Sequence, residues 1–298
     1  MLIPSMSWGL TFINGKQVKD DTASPNLLSD SQFQATIKPE DITFANHFYV
    51  HHIQACKAMD DSYTPKLNEK NIVNEIKNLI GYDWHADWEA NSTSMLPRHK
   101  GITVPITLLM SGAHNAIADE NQDSIIIAKT LLVDLANSNT LFSSIGYNEV
   151  KKKPMCYAGG DIQAPCWYHQ YAFARDVFSN YIITALWLKD ELNDQEFKTV
   201  NKYINKMYKK FIKPVEFQME KHGFYQMANG GTGILAYASW ANNKELAAKQ
   251  ITHRFKEIDT LFYEDGYINN NSFRGYRGQW FHSYGLNSAL GFVYIAKL

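Results

Sequence analysis

In this chain of 298 residues, 29 Lys and Arg stand against 30 Asp and Glu, and the net charge of -1 leaves no electrostatic footprint for nucleic acid or an anionic membrane. A hydrophobic share of 45% and a charged share of 20% suit a soluble globular protein, with chain enough for one large domain or two modest ones. No apolar run approaches the roughly 20 residues of a membrane span, and Cys56, Cys156 and Cys166, an odd number in no metal-ligand spacing, argue against a disulfide framework.

The first residues carry no basic n-region or long apolar run, so no signal peptide is expected. The chain as written reads as cytoplasmic. A removed signal, release by lysis or a place on a virion are the routes by which it would reach an extracellular polymer. Residues 8–13, Asn14-Gly15 and residues 16–18 predict a short hairpin about a tight turn. The Asp-, Ser- and Pro-bearing stretch to residue 40 is expected to run on as an extended arm.

From there the apolar spacing turns helical. Residues 42–59 predict a helix with Phe44, Phe48, Ile53 and Cys56 facing inward, and residues 68–80 a second, shorter one. Residues 83–101, rich in Trp, His, Asn, Ser and Pro, predict a loop. Helices are expected over 105–118 and 122–137, a loop over 143–165, and helices over 168–188 and 194–217, the latter kinked near Pro214. A glycine-rich loop over 223–233 precedes helices over 234–240, 244–262 and 278–297. Successive helices fall into hairpins, joined by long polar and aromatic loops where a compact bundle would use short turns. The expected fold is all-α: an incomplete α/α toroid of helical hairpins over 41–298, preceded by the hairpin and arm of residues 1–40.

Four clusters compete for chemistry. The richest is Arg274-Gly275-Tyr276-Arg277-Gly278-Gln279-Trp280-Phe281-His282-Ser283-Tyr284. On a helix, Arg277, Trp280, Phe281 and Tyr284 share one face at i, i+3, i+4 and i+7. A cation, an aromatic platform and a phenol on one face suit an acidic sugar. The same spacing also packs ordinary cores. The second cluster, Met227-Ala228-Asn229-Gly230-Gly231-Thr232-Gly233, lacks the spacing of a nucleotide loop, and its Asn229 at a helix start suits a carboxylate. In the third, Trp167, Tyr168, His169 and Arg175 open a predicted helix, with Tyr168, Tyr171 and Arg175 aligned. The fourth joins Asp83, His85, Asp87, Arg98 and His99 to His47, His51 and His52. It lacks the glutamate of an HExxH site, so histidines on a surface helix are the better reading and no metal is assigned.

The segment from Gly223 onward resembles the α/α-toroid polysaccharide lyases, the alginate lyases in particular. The shared features are an Asn-bearing helix start, Asp265-Gly266-Tyr267-Ile268 with Asn270, an arginine pair and an aromatic-His-x-Tyr helix. With compatible hairpins upstream, the likeness covers roughly the last two-thirds of the chain. It implies β-elimination on a uronate polymer: Asn and Arg neutralise the carboxylate, and His and Tyr move the protons. Asn229 matches the asparagine and Arg274 the arginine. Gly230 stands where the family has His, and Phe281 where it has Tyr, so the proton-transfer role passes to Tyr284, with His282 or His169 as the second residue. Arg277 would support the carboxylate clamp, and Trp280, Trp167 and Tyr168 would stack on sugar rings. The implied partner is an acidic polysaccharide, without cofactor or metal, and no oligomeric state is assigned. The competing readings are a non-catalytic carbohydrate-binding or virion structural module and a toroidal glycoside hydrolase, which would need two opposed carboxylates.

Overall fold

A computed structural model describes residues 11–13, 16–18, 37–44, 65–80, 96–140, 142, 166–213, 216, 224–261, 267–268 and 278–296; the side chains of some helical positions, including 166–176 and 224–230, lie outside that set. The described residues are mainly α-helical. Their packing forms two units, Ala45–Pro214 and a second assembled from Met1–Phe44 with Val215–Leu298, a division different from a cut at residue 40.

In the Ala45–Pro214 unit, α1 (Lys70–Lys77) packs on α2 (Leu96–Ala118), which is followed by α3 (Gln122–Asn137), α4 (Cys166–Trp187) and α5 (Asp194–Met207). Alternate helices are neighbours: α2 lies against α4 as well as α3, and α3 lies against α5. The result is a pair of layers. From Val177 to Leu186, α4 is buried nearly all round, as its almost unbroken apolar run requires. Asn193 starts α5 with a capping box: its side chain accepts from Gln195 N and Glu196 N, and Glu196 accepts from the Asn193 N–H at 2.9 Å.

Two tyrosines tie these layers together. The Tyr181 hydroxyl donates to the Leu132 carbonyl at 2.8 Å and the Tyr203 hydroxyl to the Thr140 carbonyl at 2.9 Å, with the two rings edge-on at 5.0 Å. Burial raises both phenol pKa values well above the ordinary range, and for Tyr181 the neighbouring Tyr203 adds to the shift. A raised folded-state pKa means that the unfolded chain ionises first. Their contribution is therefore complete below pH ~10 and is lost as pH rises beyond it, at roughly 1.4 kcal/mol per pH unit for each phenol. Urea midpoints are expected to fall between pH 9 and 11, and less steeply in Tyr203→Phe.

In the other unit, β1 (Thr11–Ile13) pairs antiparallel with β2 (Lys16–Val18), Thr11 opposite Val18. Its helices are α6 (Phe224–Trp240), α7 (Lys244–Leu261) and α8 (Gly278–Ala296). α6 packs against both α7 and α8. The core joins Ile42 to Leu235, Ala238, Ala248, Ile251 and Phe292. The Ile37 N–H donates to Thr252 Oγ1 at 3.1 Å, which seats the segment around residue 40 along α7.

One face of α7 also buries polar groups. Arg254 and Glu257, 4% and 0% exposed at the side chain, form an ion pair at 2.6 Å. Arg254 Nη2 and Gln250 Nε2 both donate to the Glu216 carbonyl, at 3.1 and 2.6 Å. Tyr237 on α6 has its pKa raised, first by burial and then by the nearby Glu216 carboxylate.

The α2–α3 and α6–α7 hairpins share one joint. In each, three residues link the helices, the second is left-handed (Glu120 at φ 53, Asn242 at φ 50), and the third is an asparagine that caps the next helix. The chain-reversing bonds match: Asn121 N to Ala116 O at 2.8 Å and Asn243 N to Ala238 O at 2.7 Å. The caps also match, Asn121 accepting from Ser124 N and Asn243 from Leu246 N, both at 3.0 Å. Glutamate is the costly choice at such a position. Glu120→Gly is expected to stabilise by about 0.5–1 kcal/mol, read as a raised denaturation midpoint.

The structure corrects several expected boundaries. Residues 42–44 are not helical, and the remainder of the helix expected over 42–59, with Phe48, Ile53 and Cys56, lies outside the described residues. α2 begins at Leu96 inside the expected loop, because Pro105 removes only one hydrogen bond and the helix runs through it. The helix expected over 194–217 changes to a π-turn over Tyr208–Ile212, and Pro214 lies outside the described residues. The glycine-rich loop expected over 223–233 is largely helix, α6 starting at Phe224.

Candidate functional site

Gly231 in α6 answers to packing. A Cβ on Gly231 would lie 2.9 Å from Cδ2 and 3.1 Å from Cε2 of Phe292, a fully buried ring of α8. The run that reads as a ligand loop therefore lets two helices approach closely, at the propensity cost of helical glycine. Asn229, expected at a helix start, sits inside α6 one turn beyond its beginning. Its position is two residues from that close approach to α8. Its side chain lies outside the described residues, as do Arg274 and Arg277 altogether.

α8 begins at Gly278, so positions 280, 281 and 284 share one helical face, with Arg277 immediately ahead of it. Among the described positions of α8, the buried stripe is Gly278, Gly285, Ala289 and Phe292. At 3.6 residues per turn, position 284 lies about 120° to one side of that stripe and position 282 about 40° to the other. Positions 282 and 284 are thus about 160° apart, the poor disposition of any i, i+2 pair. The two positions stand on different faces of α8, and the side chain of Tyr284 lies outside the described residues.

His282 has a different neighbour. The half-buried imidazole meets the ring of Tyr267 edge-on, with centroids 6.3 Å apart. Tyr267 is 49% exposed, whereas the adjoining Ile268 is fully buried with Ile258 and Ala289. Sequence reasoning quoted Tyr267 within a motif and gave it no role. The signal available was an aromatic directly before an apolar anchor, in a loop leading towards the arginines.

Trp167, Tyr168, His169 and Arg175 belong to the other unit, on the first turns of α4, where positions 168, 171 and 175 share a face. Their side chains lie outside the described residues, as do His47, His51, His52, His85 and Asp87; Arg98 and His99 fall in the first turn of α2. Among the described residues, no group of three or more His, Cys, Asp and Glu is placed to hold a metal ion, and no helix is long and apolar enough to cross a membrane.

No family model matches this chain, and comparison with curated proteins and with solved structures finds no match.

Proposed function

We propose that this chain is a polysaccharide lyase that cleaves a uronate-containing, alginate-like polymer by β-elimination, on an incomplete α/α toroid carrying a short N-terminal β arm. The observation that supports the reading is that α6, the helix bearing Asn229, packs directly on α8, the helix bearing positions 280 and 284, with Gly231 against Phe292. The layered hairpins and their repeated joint support the toroid.

In this mechanism Asn229 and Arg274 hold the uronate carboxylate, with Arg277 in support. Neutralising that charge makes the C5 proton acidic. Tyr284 serves both proton steps in this reading. Its phenolate takes the C5 proton, the electron pair forms the C4–C5 double bond, and the C4–O bond breaks. The phenol then returns the proton to the departing oxygen. Trp280 stacks on the ring. No cofactor or metal enters these steps.

A single phenol reaches both atoms only when H5 and O4 lie on the same ring face. Mannuronate and glucuronate meet that condition; guluronate and galacturonate do not. Incubation with mannuronate-rich and guluronate-rich alginate, glucuronan, pectate and glycosaminoglycans tests the proposal through the ultraviolet absorbance of the unsaturated product. Absorbance from mannuronate or glucuronate polymers is expected. New reducing ends without absorbance would indicate a hydrolase and overturn the proposal, and retention without cleavage would indicate a binding module.

A further inference from the structure

The Tyr267–His282 pair is a built feature that the elimination steps leave unused. Ile268 is anchored in a core of Ile258 and Ala289, with Leu286 and Val293 packed against it. That anchor holds the preceding residue at the surface, where the Tyr267 ring is 49% exposed and backed by the His282 imidazole at 6.3 Å. An ordinary exposed tyrosine swings on a mobile loop. This one is fixed on one side by a buried neighbour and on the other by a ring from α8.

We infer that Tyr267 and His282 form an accessory saccharide-binding patch, on the side of α8 away from positions 280 and 284, which takes a further pyranose ring of the same acidic polymer. The phenol face offers the flat, amphipathic surface on which the C–H face of a sugar stacks. The imidazole backs that ring edge-on and fixes its orientation. A polymer, unlike a single sugar, can engage two such places at once and gain in retention. The inference rests on the carbohydrate reading above, and its test separates the two.

Affinity electrophoresis in gels cast with mannuronate-rich alginate or glucuronan compares the wild-type chain with Tyr267→Ala and Tyr267→Phe, each checked for an unshifted melting midpoint. Tyr267→Ala is expected to weaken retention roughly three- to tenfold, the range of one aromatic stacking contact, while Tyr267→Phe keeps most of it. If the wild-type chain eliminates polymer and Tyr267→Ala is retained equally well, the patch is overturned and the lyase reading stands. If the wild-type chain is retained in a Tyr267-dependent way without eliminating, the patch stands and the lyase reading falls. A wild-type chain that neither binds nor eliminates overturns both.

Discussion

Arg254→Met is expected to destabilise the unit assembled from the two ends of the chain by about 3–5 kcal/mol, because it leaves the Glu257 carboxylate buried without its cation. It also removes the Arg254 hydrogen bond to the Glu216 carbonyl, which Gln250 also donates to. The measurement is urea denaturation of the full chain, with the two units free to unfold in separate transitions. Arg254→Met combined with Glu257→Leu should recover much of the loss, since an apolar pair of similar volume carries no stranded charge. A double variant as unstable as the single one would place the cost in the lost grip on Glu216 instead. That outcome would assign the arginine to holding the chain where it passes from one unit to the other.

Tyr284→Phe is expected to lower elimination about 10²–10⁴-fold, the range of a lost general acid or base. It should leave the melting midpoint and polymer retention close to wild type. Elimination at an undiminished rate would remove Tyr284 from the mechanism. The complementary variant His282→Gln is expected to act on retention more than on rate, because position 282 lies on the opposite side of α8. A loss of rate in His282→Gln as large as that in Tyr284→Phe would make His282 the second proton-transfer residue.

The sequence was most legible where periodicity and punctuation agree. Gln122–Asn137 has an asparagine cap, an apolar face and a left-handed exit, and its predicted bounds match the helix. α7 and α8 end within one residue of expectation. It was least legible where a residue's usual local meaning yields to packing. Gly230, Gly231 and Gly233 read as a loop, because what Gly231 accommodates, the Phe292 ring, lies some sixty residues further along the chain. Pro105 read as a helix start for a similar reason: one lost hydrogen bond is small beside what the rest of α2 gains against α4. Within the proposed site, the 280–284 block stands out in composition. The separation of His282 from Tyr284 follows from helix geometry once a continuous helix is established there. Tyr267 was missed because its significance depends on Ile268 being buried and on a ring contact with α8.

The unit formed by the two ends of the chain also sets an order of events during synthesis. Ile37 meets its hydrogen-bond partner Thr252 across a separation of 215 residues, and Ile42 shares a core with Leu235, Ile251 and Phe292. A ribosome adding about 5–20 residues per second makes the early segment wait on the order of 10–40 s for those partners. Meanwhile Ala45–Pro214 emerges as one uninterrupted stretch and can condense by itself. The nascent protein would carry a finished insert on an unfinished frame, with the apolar side chains of Ile37, Ile42 and Phe44 awaiting cover. During that interval a chaperone has the most to protect, and a stalled chain would be most prone to associate with its neighbours.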